Sequence, residues 1–174
     1  MNLALVGYRG TGKSAIARRL GALLERPVVS LDEEIVRRAG MPIPAIVTAH
    51  GWGHFRDLEE AVCRDVAAAD GLVIDCGGGV VEREANGAAL RARGRVFWLR
   101  ATPATIVSRI GGDKSRPSLT GTQSFTEEVA EVLQRRTPLY DRIAHVRVDT
   151  DGRTLDDLAA DIARRFAALA AQPQ

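Results

Sequence analysis

Short apolar runs alternating with amphipathic stretches predict an α/β protein with three α/β/α layers: a central parallel sheet of about five strands under helices on both faces. Two observations carry this. Each apolar run is too short for a helix and rich in β-branched or aliphatic residues, and nearly every one is followed by a stretch with helical spacing of its apolar positions. The first such junction is also a glycine-rich loop. In order, residues 3–6 read as a strand and 13–24 as a helix, followed by a strand at 28–31 and a helix at 32–39. A helical pattern at 55–68 leads to a strand at 72–74, a helix at 84–93 and a strand at 96–99. Helices at 103–110 and 126–140, a strand at 146–148 and a helix at 155–169 complete the series. In sheets of this kind ligands lie beyond the carboxyl ends of the strands. That directs attention to the loops after residues 6, 31, 75 and 99.

A chain of 174 residues fits one domain able to bury a core without disulfides or structural metal. Its 24 basic residues are scattered among 22 acidic ones, so there is no one-faced basic stripe of the kind that binds nucleic acid. Only two of the basic residues are lysines, Lys13 and Lys114, which makes a lysine inside the glycine loop unlike a random basic residue. Cys63 and Cys76 are too few for a disulfide framework and are expected as reduced, partly buried thiols. No run reaches the roughly 20 apolar residues of a membrane span, and the N-terminus lacks a charged leader. A cytoplasmic protein is expected.

Gly7-Tyr8-Arg9-Gly10-Thr11-Gly12-Lys13-Ser14 matches G-x-x-x-x-G-K-[ST] at every fixed position. The glycines let successive backbone N–H groups turn inward around phosphate oxygens, and the following helix presents its positive end. Gly10, Thr11, Gly12, Lys13, Ser14 and Ala15 are thus candidate ATP ligands, with Lys13 on the β- and γ-phosphates and Ser14 on Mg²⁺. The loop follows a strand and opens a helix, the context the motif requires. It is silent on the phosphoryl acceptor. His50 and His54, four apart, lack the glutamate of a zinc helix, and glycines intervene, so no metal site is expected there. His145 opens a strand and reads as structural.

Further motifs follow in an order that resembles the shikimate kinases. Asp32-Glu33-Glu34-Ile35 is similar to that family's acidic substrate motif, and Phe55-Arg56-Asp57-Leu58-Glu59 to its Phe-Arg-x-x-Glu stretch. Gly77-Gly78-Gly79 follows the third strand, Arg116-Pro117 sits in a glycine-, serine- and threonine-rich stretch, and Arg136-Thr137-Pro138-Leu139-Tyr140 resembles Arg-x-Pro-Leu-Tyr. The resemblance covers residues from about 3 to about 155. It implies a P-loop kinase fold in one kinase domain, 1–174, with a helical substrate-binding segment at about 32–60 and a lid loop at about 111–124. It implies ATP and shikimate as substrates and Mg²⁺ as cofactor. No long apolar surface pattern demands a protein partner, so a monomer without nucleic-acid or membrane partners is expected. Lys13, Asp32 and Arg116 would be catalytic. Asp32, Arg56, Gly77, Gly78, Gly79 and Arg136 would bind the acceptor, and Arg109, Arg116 and Arg153 the nucleotide.

Physical chemistry gives these assignments sense. A carboxylate suits the planar fork of arginine, which Arg56 and Arg136 supply, and Glu59 lies three residues on from Arg56, on one helix face. Asp32 would accept the proton of the attacking hydroxyl. Ile43, Val47, Phe55, Pro117 and Leu119 would enclose the ring. Three departures from the family pattern stand out. Ser30-Leu31-Asp32 replaces Asp-x-Asp, Gly51-Trp52 replaces Gly-Glu, and Ser118 replaces an apolar lid residue. Asp75, two residues before Gly77, is expected to supply the charge missing at Ser30 through water on Mg²⁺, and Trp52 is expected in the core. Two alternatives stay open here: a kinase for another small acid such as gluconate, and a catalytically impaired nucleotide-binding homologue.

Overall fold

The computed structural model describes residues 1–110 and 125–171, with side chains described from Glu127 onward in the second segment. Strand β1 (Asn2–Val6) lies at the centre of a five-stranded sheet. The others are β2 (Val28–Ser30), β3 (Val73–Asp75), β4 (Gly94–Arg100) and β5 (Val146–Asp149), in the order β2-β3-β1-β4-β5, every pair parallel. The helices are α1 (Lys13–Leu24), α2 (Leu31–Ala39), α3 (Ile43–Ala68), α4 (Glu84–Ala92), α5 (Pro103–Ile110), α6 (Phe125–Ile143) and α7 (Leu155–Ala170), with a 3-10 turn at Val80–Glu82.

The two-residue period of a strand sorts the core onto two faces. Leu3 and Leu5 of β1 point with Phe97, Leu99 and Val148 toward α1 and α7, where Ile16, Leu20, Leu158, Ile162 and Phe166 cover them. Ala4 and Val6 point the other way, with Ile74, Val96 and Trp98, under Leu31, Ile35, Phe55, Val62, Leu90 and Tyr140. Each fully buried large apolar side chain contributes roughly 1.5–3 kcal/mol relative to exposure. Both faces of the sheet are therefore committed to packing, and its carboxyl edge is where polar chemistry is left.

Two boundaries differ from the sequence reading. Helix α3 begins at Ile43, twelve residues before the helical pattern read from sequence, and Gly51 (φ 80°, ψ 170°) kinks it between two helical pieces. The Gly51-Trp52-Gly53 stretch breaks the periodic pattern, so sequence alone exposes only the second piece. Pro42 and Pro44 set the first piece off: proline is suited to a helix start, where its missing N–H costs nothing. Helix α6 continues past Pro138 to Ile143. His145 proves structural, as expected. Its N–H donates to Val96 O (2.8 Å) and its Nδ1 accepts from Val96 N–H (3.0 Å), so an imidazole nitrogen stands in for a strand carbonyl. Among the described residues no helix is long and apolar enough to cross a membrane.

Candidate active site

The loop from Gly7 to Gly12 bends between β1 and α1. Gly7 (φ 142°) adopts a conformation that L side chains rarely enter, and a Cβ there would lie 2.4 Å from Leu99 O of the adjacent strand. Thr11 Oγ1 donates to Tyr8 O at 2.8 Å, bracing the turn from inside. The Lys13 ammonium is buried and donates to Gly7 O (2.8 Å) and Tyr8 O (2.9 Å), folding back along the loop. Gly10, Gly12, Lys13, Ser14 and Ala15 line one cleft together with Ser30, Asp32, Asp75, Gly77, Gly78 and Arg109.

The two chain positions at issue over the missing carboxylate meet across the sheet. Ser30 and Asp75 are register partners of the parallel β2–β3 pair, and Asp75 also lies opposite Leu5 at the head of the phosphate loop. Ser30 caps α2, accepting from Glu33 N–H at 3.3 Å. Serine therefore keeps the capping duty of an aspartate there and drops its charge. Asp75 is buried, and its side chain is hydrogen-bonded to Ser14. Burial, with the nearby Asp32 and Glu33 charges, outweighs the Ser14 bond and Lys13 and pushes the Asp75 carboxyl above its usual range. Such a carboxyl gains from an added cation.

A second pocket adjoins this cleft and holds about 520 Å³ of empty space, open solvent at its mouth included. Asp32, in the first turn of α2, forms one wall with Ile43, Trp52, Phe55, Arg56 and Glu59 of α3. The turn Gly77–Gly79 lies opposite, with Arg136 of α6 and Tyr8 and Arg9 of the phosphate loop. The glycines are needed for space. A Cβ at Gly77 would sit 2.7 Å from Asp32 Oδ1 and 3.1 Å from Glu59 Oε1, and one at Gly79 would meet the Arg56 guanidinium at 2.1 Å. Tyr140, stacked on Trp98 with ring centroids 5.6 Å apart, donates its hydroxyl to Gly78 O and holds the turn in place. Burial raises the pKa of that phenol, so it stays protonated and able to donate.

Arg56 and Arg136 of the pocket are held from behind. Arg56 donates from NH1 to Glu59 Oε2 at 2.5 Å, one helical turn away, and lies near the rings of Phe55 (5.2 Å) and Trp52 (5.6 Å). Glu59 is 1 % exposed. Burial pushes its carboxyl up, and the Asp32 charge adds to this, while Arg56 and Arg136 draw it back. Arg136, 4 % exposed, donates from Nε to Glu82 Oε1 at 2.7 Å. It also bonds the Tyr140 hydroxyl.

The structure thus brings together Lys13, Ser14, Asp32, Arg56, Asp75, the glycine turn and Arg136, which come from five separate stretches of chain. Arg109 reaches the cleft too, donating to Gly10 O at 3.1 Å. Arg153 stands elsewhere: it pairs with Asp161 (3.3 Å) in a groove along α7 and does not line the cleft. Ile43 and Phe55 line the acceptor pocket, whereas Val47 packs against the core. Trp52, expected in the core, does both: it packs on the core edge and walls the pocket, edge-on to Phe55 at 5.7 Å. The lid, with Arg116, Pro117, Ser118 and Leu119, lies outside the described residues. Sequence reasoning missed Glu82, the Tyr140 bond and the placement of Arg9. The His50 and His54 rings lie 4.9 Å apart, and among the described residues no group of three or more His, Cys, Asp or Glu could hold a metal. Cys63 and Cys76 are buried and unbridged, and burial pushes the Cys63 thiol up to about 12.

Comparisons with known proteins identify the family. The shikimate kinase family model matches residues 9–167. A shikimate kinase of Rhodopirellula baltica is 40% identical over 165 residues, 92% of this chain and 88% of that one. One of Pseudomonas syringae pv. syringae is 41% identical over 168 residues, 97% of each chain. Among solved structures, a shikimate kinase from Acinetobacter baumannii in complex with shikimate superposes with a TM-score of 0.91 at 32% identity, covering 98% of this chain and 95% of the other. The chain belongs to the shikimate kinase family.

Proposed function

We propose that this protein transfers the terminal phosphoryl group of ATP to the 3-hydroxyl of shikimate. The observation that carries the reading is that Asp32, Gly77 and Gly78 line both the phosphate cleft and the acceptor pocket. An acceptor hydroxyl at Asp32 therefore faces the place where the phosphate loop presents the γ-phosphate. Family membership sets aside the gluconate kinase reading, and the intact set Lys13, Ser14, Asp32 and Arg136 speaks against an impaired homologue.

In this reading Arg56 and Arg136 grip the shikimate carboxylate, while Ile43, Trp52 and Phe55 flank the ring. Asp32 accepts the hydroxyl proton as that oxygen bonds to the γ-phosphorus. The bond from the γ-phosphorus to the β,γ-bridging oxygen breaks, and ADP leaves with the negative charge. Lys13 turns from the loop carbonyls to the phosphates, and Arg116 is assigned the charge that stabilises the transferring group. Ser14, with Asp75 acting through water, would hold Mg²⁺, which supplies charge neutralisation at the phosphates. The donor set suits that ion: Mg²⁺ keeps several waters and takes few protein ligands when it arrives on a nucleotide. We read the protein as a cytoplasmic monomer.

Asp32→Asn tests the base. It should lower kcat by roughly 10²–10⁴-fold and leave nucleotide affinity unchanged. A kcat equal to that of the unsubstituted protein would remove Asp32 from the chemistry.

A further inference from the structure

Besides Arg9, the arginines Arg56 and Arg136 meet the acceptor pocket, and the sequence makes only one of these two supports visible. Arg56 is held by Glu59 on its own helix. Arg136 is held by Glu82, 54 residues away, in the 3-10 turn that directly follows the glycine turn. The contact is specific in its atoms. Glu82 Oε1 takes the Nε hydrogen at 2.7 Å, while NH1 of the same guanidinium lies 3.8 Å from the point where a Gly78 Cβ would stand, on the floor of the pocket. A guanidinium anchored through Nε still has terminal N–H groups for a planar partner, beside the bond this one makes to the Tyr140 hydroxyl.

The same Glu82 oxygen also accepts from Arg135 NH2 at 2.9 Å. Arg135 faces an outer groove that shares Trp52, Arg56 and Arg136 with the acceptor pocket and is further lined by Arg83. Four guanidinium groups therefore line this groove, and among the described residues lining it Glu82 is the one carboxylate. Arg83 is satisfied separately, by Asp57 and Glu60. Burial raises the Glu82 carboxyl, but the hydrogen bond and charge of Arg136, with Arg135 and Arg56, outweigh it and keep Glu82 ionised.

We infer that Glu82 is a positioning residue for acceptor recognition: it clamps Arg136 through Nε so that the terminal nitrogens stay aimed at a carboxylate-bearing substrate. The inference rests on the proposed role of Arg136 in gripping the acceptor carboxylate. Glu82 itself touches no reacting atom, so its removal changes binding of the acid and leaves the transfer step alone.

The test compares the unsubstituted protein with Glu82→Ala, Glu82→Gln and Arg136→Ala, using shikimate and its methyl ester as acceptor or competitive inhibitor. Losing a charge-assisted hydrogen bond should raise the KM for shikimate about tenfold or more in Glu82→Ala. Glu82→Gln, which keeps an oxygen for Nε, should fall between. The kcat and the KM for ATP should hold. With the ester, which has no carboxylate to grip, Glu82→Ala and the unsubstituted protein should bind alike. An unchanged shikimate KM in Glu82→Ala, or an equal loss on acid and ester, overturns the clamp. If Arg136→Ala also fails to distinguish acid from ester, the assignment of the carboxylate to Arg136 fails. If Arg136→Ala distinguishes them and Glu82→Ala does not, only the Glu82 inference falls. Should Glu82→Ala lose its thermal transition, the Glu82→Gln comparison decides.

Discussion

Adding one methyl group at Gly79 should disable acceptor binding while leaving the fold intact. Gly79 has φ −98° and ψ 4°, a conformation open to alanine, so Gly79→Ala introduces no backbone strain. The new Cβ would lie 2.1 Å from Arg56 NH2, 2.3 Å from NH1 and 2.4 Å from Cζ. To restore ordinary contact the guanidinium must retreat by roughly 1.5 Å. It is a side-chain terminus and can move, so the cost falls on what Arg56 was holding. Its bond to the buried Glu59 and its reach to an acceptor carboxylate both depend on that position. A charge-assisted hydrogen bond contributes about 1.5–3 kcal/mol, which converts to a rise of roughly 10- to 150-fold in the KM for shikimate. The assay is coupled ADP release with shikimate varied at saturating ATP, then the reverse, alongside a thermal melt. The KM for ATP should stay near that of the unsubstituted protein, and the melt should stay cooperative with its midpoint lowered by the weakened Arg56–Glu59 bond. A shikimate KM that does not move would refute the placement of Arg56 as an acceptor ligand.

Other perturbations test separate parts of the account. Asp75→Ala should raise the Mg²⁺ concentration needed for half-maximal rate sharply; an identical Mg²⁺ titration would show that Asp75 does not supply the charge absent at Ser30. Lys13→Ala should lower kcat and weaken nucleotide binding, measured by calorimetry, since the ammonium now resting on the loop carbonyls is the group that would reach the phosphates. His145 predicts a pH dependence of stability. Burial, with the charges of Arg91 and Arg95, lowers its pKa from 6.5 to about 4. Between these values the unfolded chain binds more protons than the folded one, so this contribution to stability is present above about pH 6.5 and is lost as pH falls through about 4. Thermal melts from pH 7 to 4 should show a steeper fall for the unsubstituted protein than for His145→Asn, and parallel curves would contradict it.

What could be read from sequence was what is local in sequence. The phosphate loop is a contiguous motif between a strand and a helix, so the α1 boundaries at Lys13 and Leu24 and the loop's ligands follow from one stretch of chain. Arg56 and Glu59 were legible as a pair because three residues on a helix is one face. Contacts made by the sheet were not. That Asp75 serves the Ser30 position was expected from sequence, but their pairing as register partners follows only from strand order. Glu82 gave no sign of serving Arg136, because only the packing of α6 on the 3-10 turn brings them together. Helix α3 was half hidden because Gly51 interrupts its periodicity at a kink that the pocket uses to present Trp52. Arg153 went the other way: matched by its place in the chain, it is drawn to Asp161 on α7.

The central claim is that the pocket beside the phosphate loop accepts shikimate. It is tested most directly by ADP release from Mg²⁺-ATP with shikimate, quinate, gluconate or no acceptor. Turnover with shikimate and background rates with the others is the predicted result. Nucleotide binding with no turnover on shikimate, or faster turnover on gluconate, would contradict the account and leave only the fold and the phosphate grip standing.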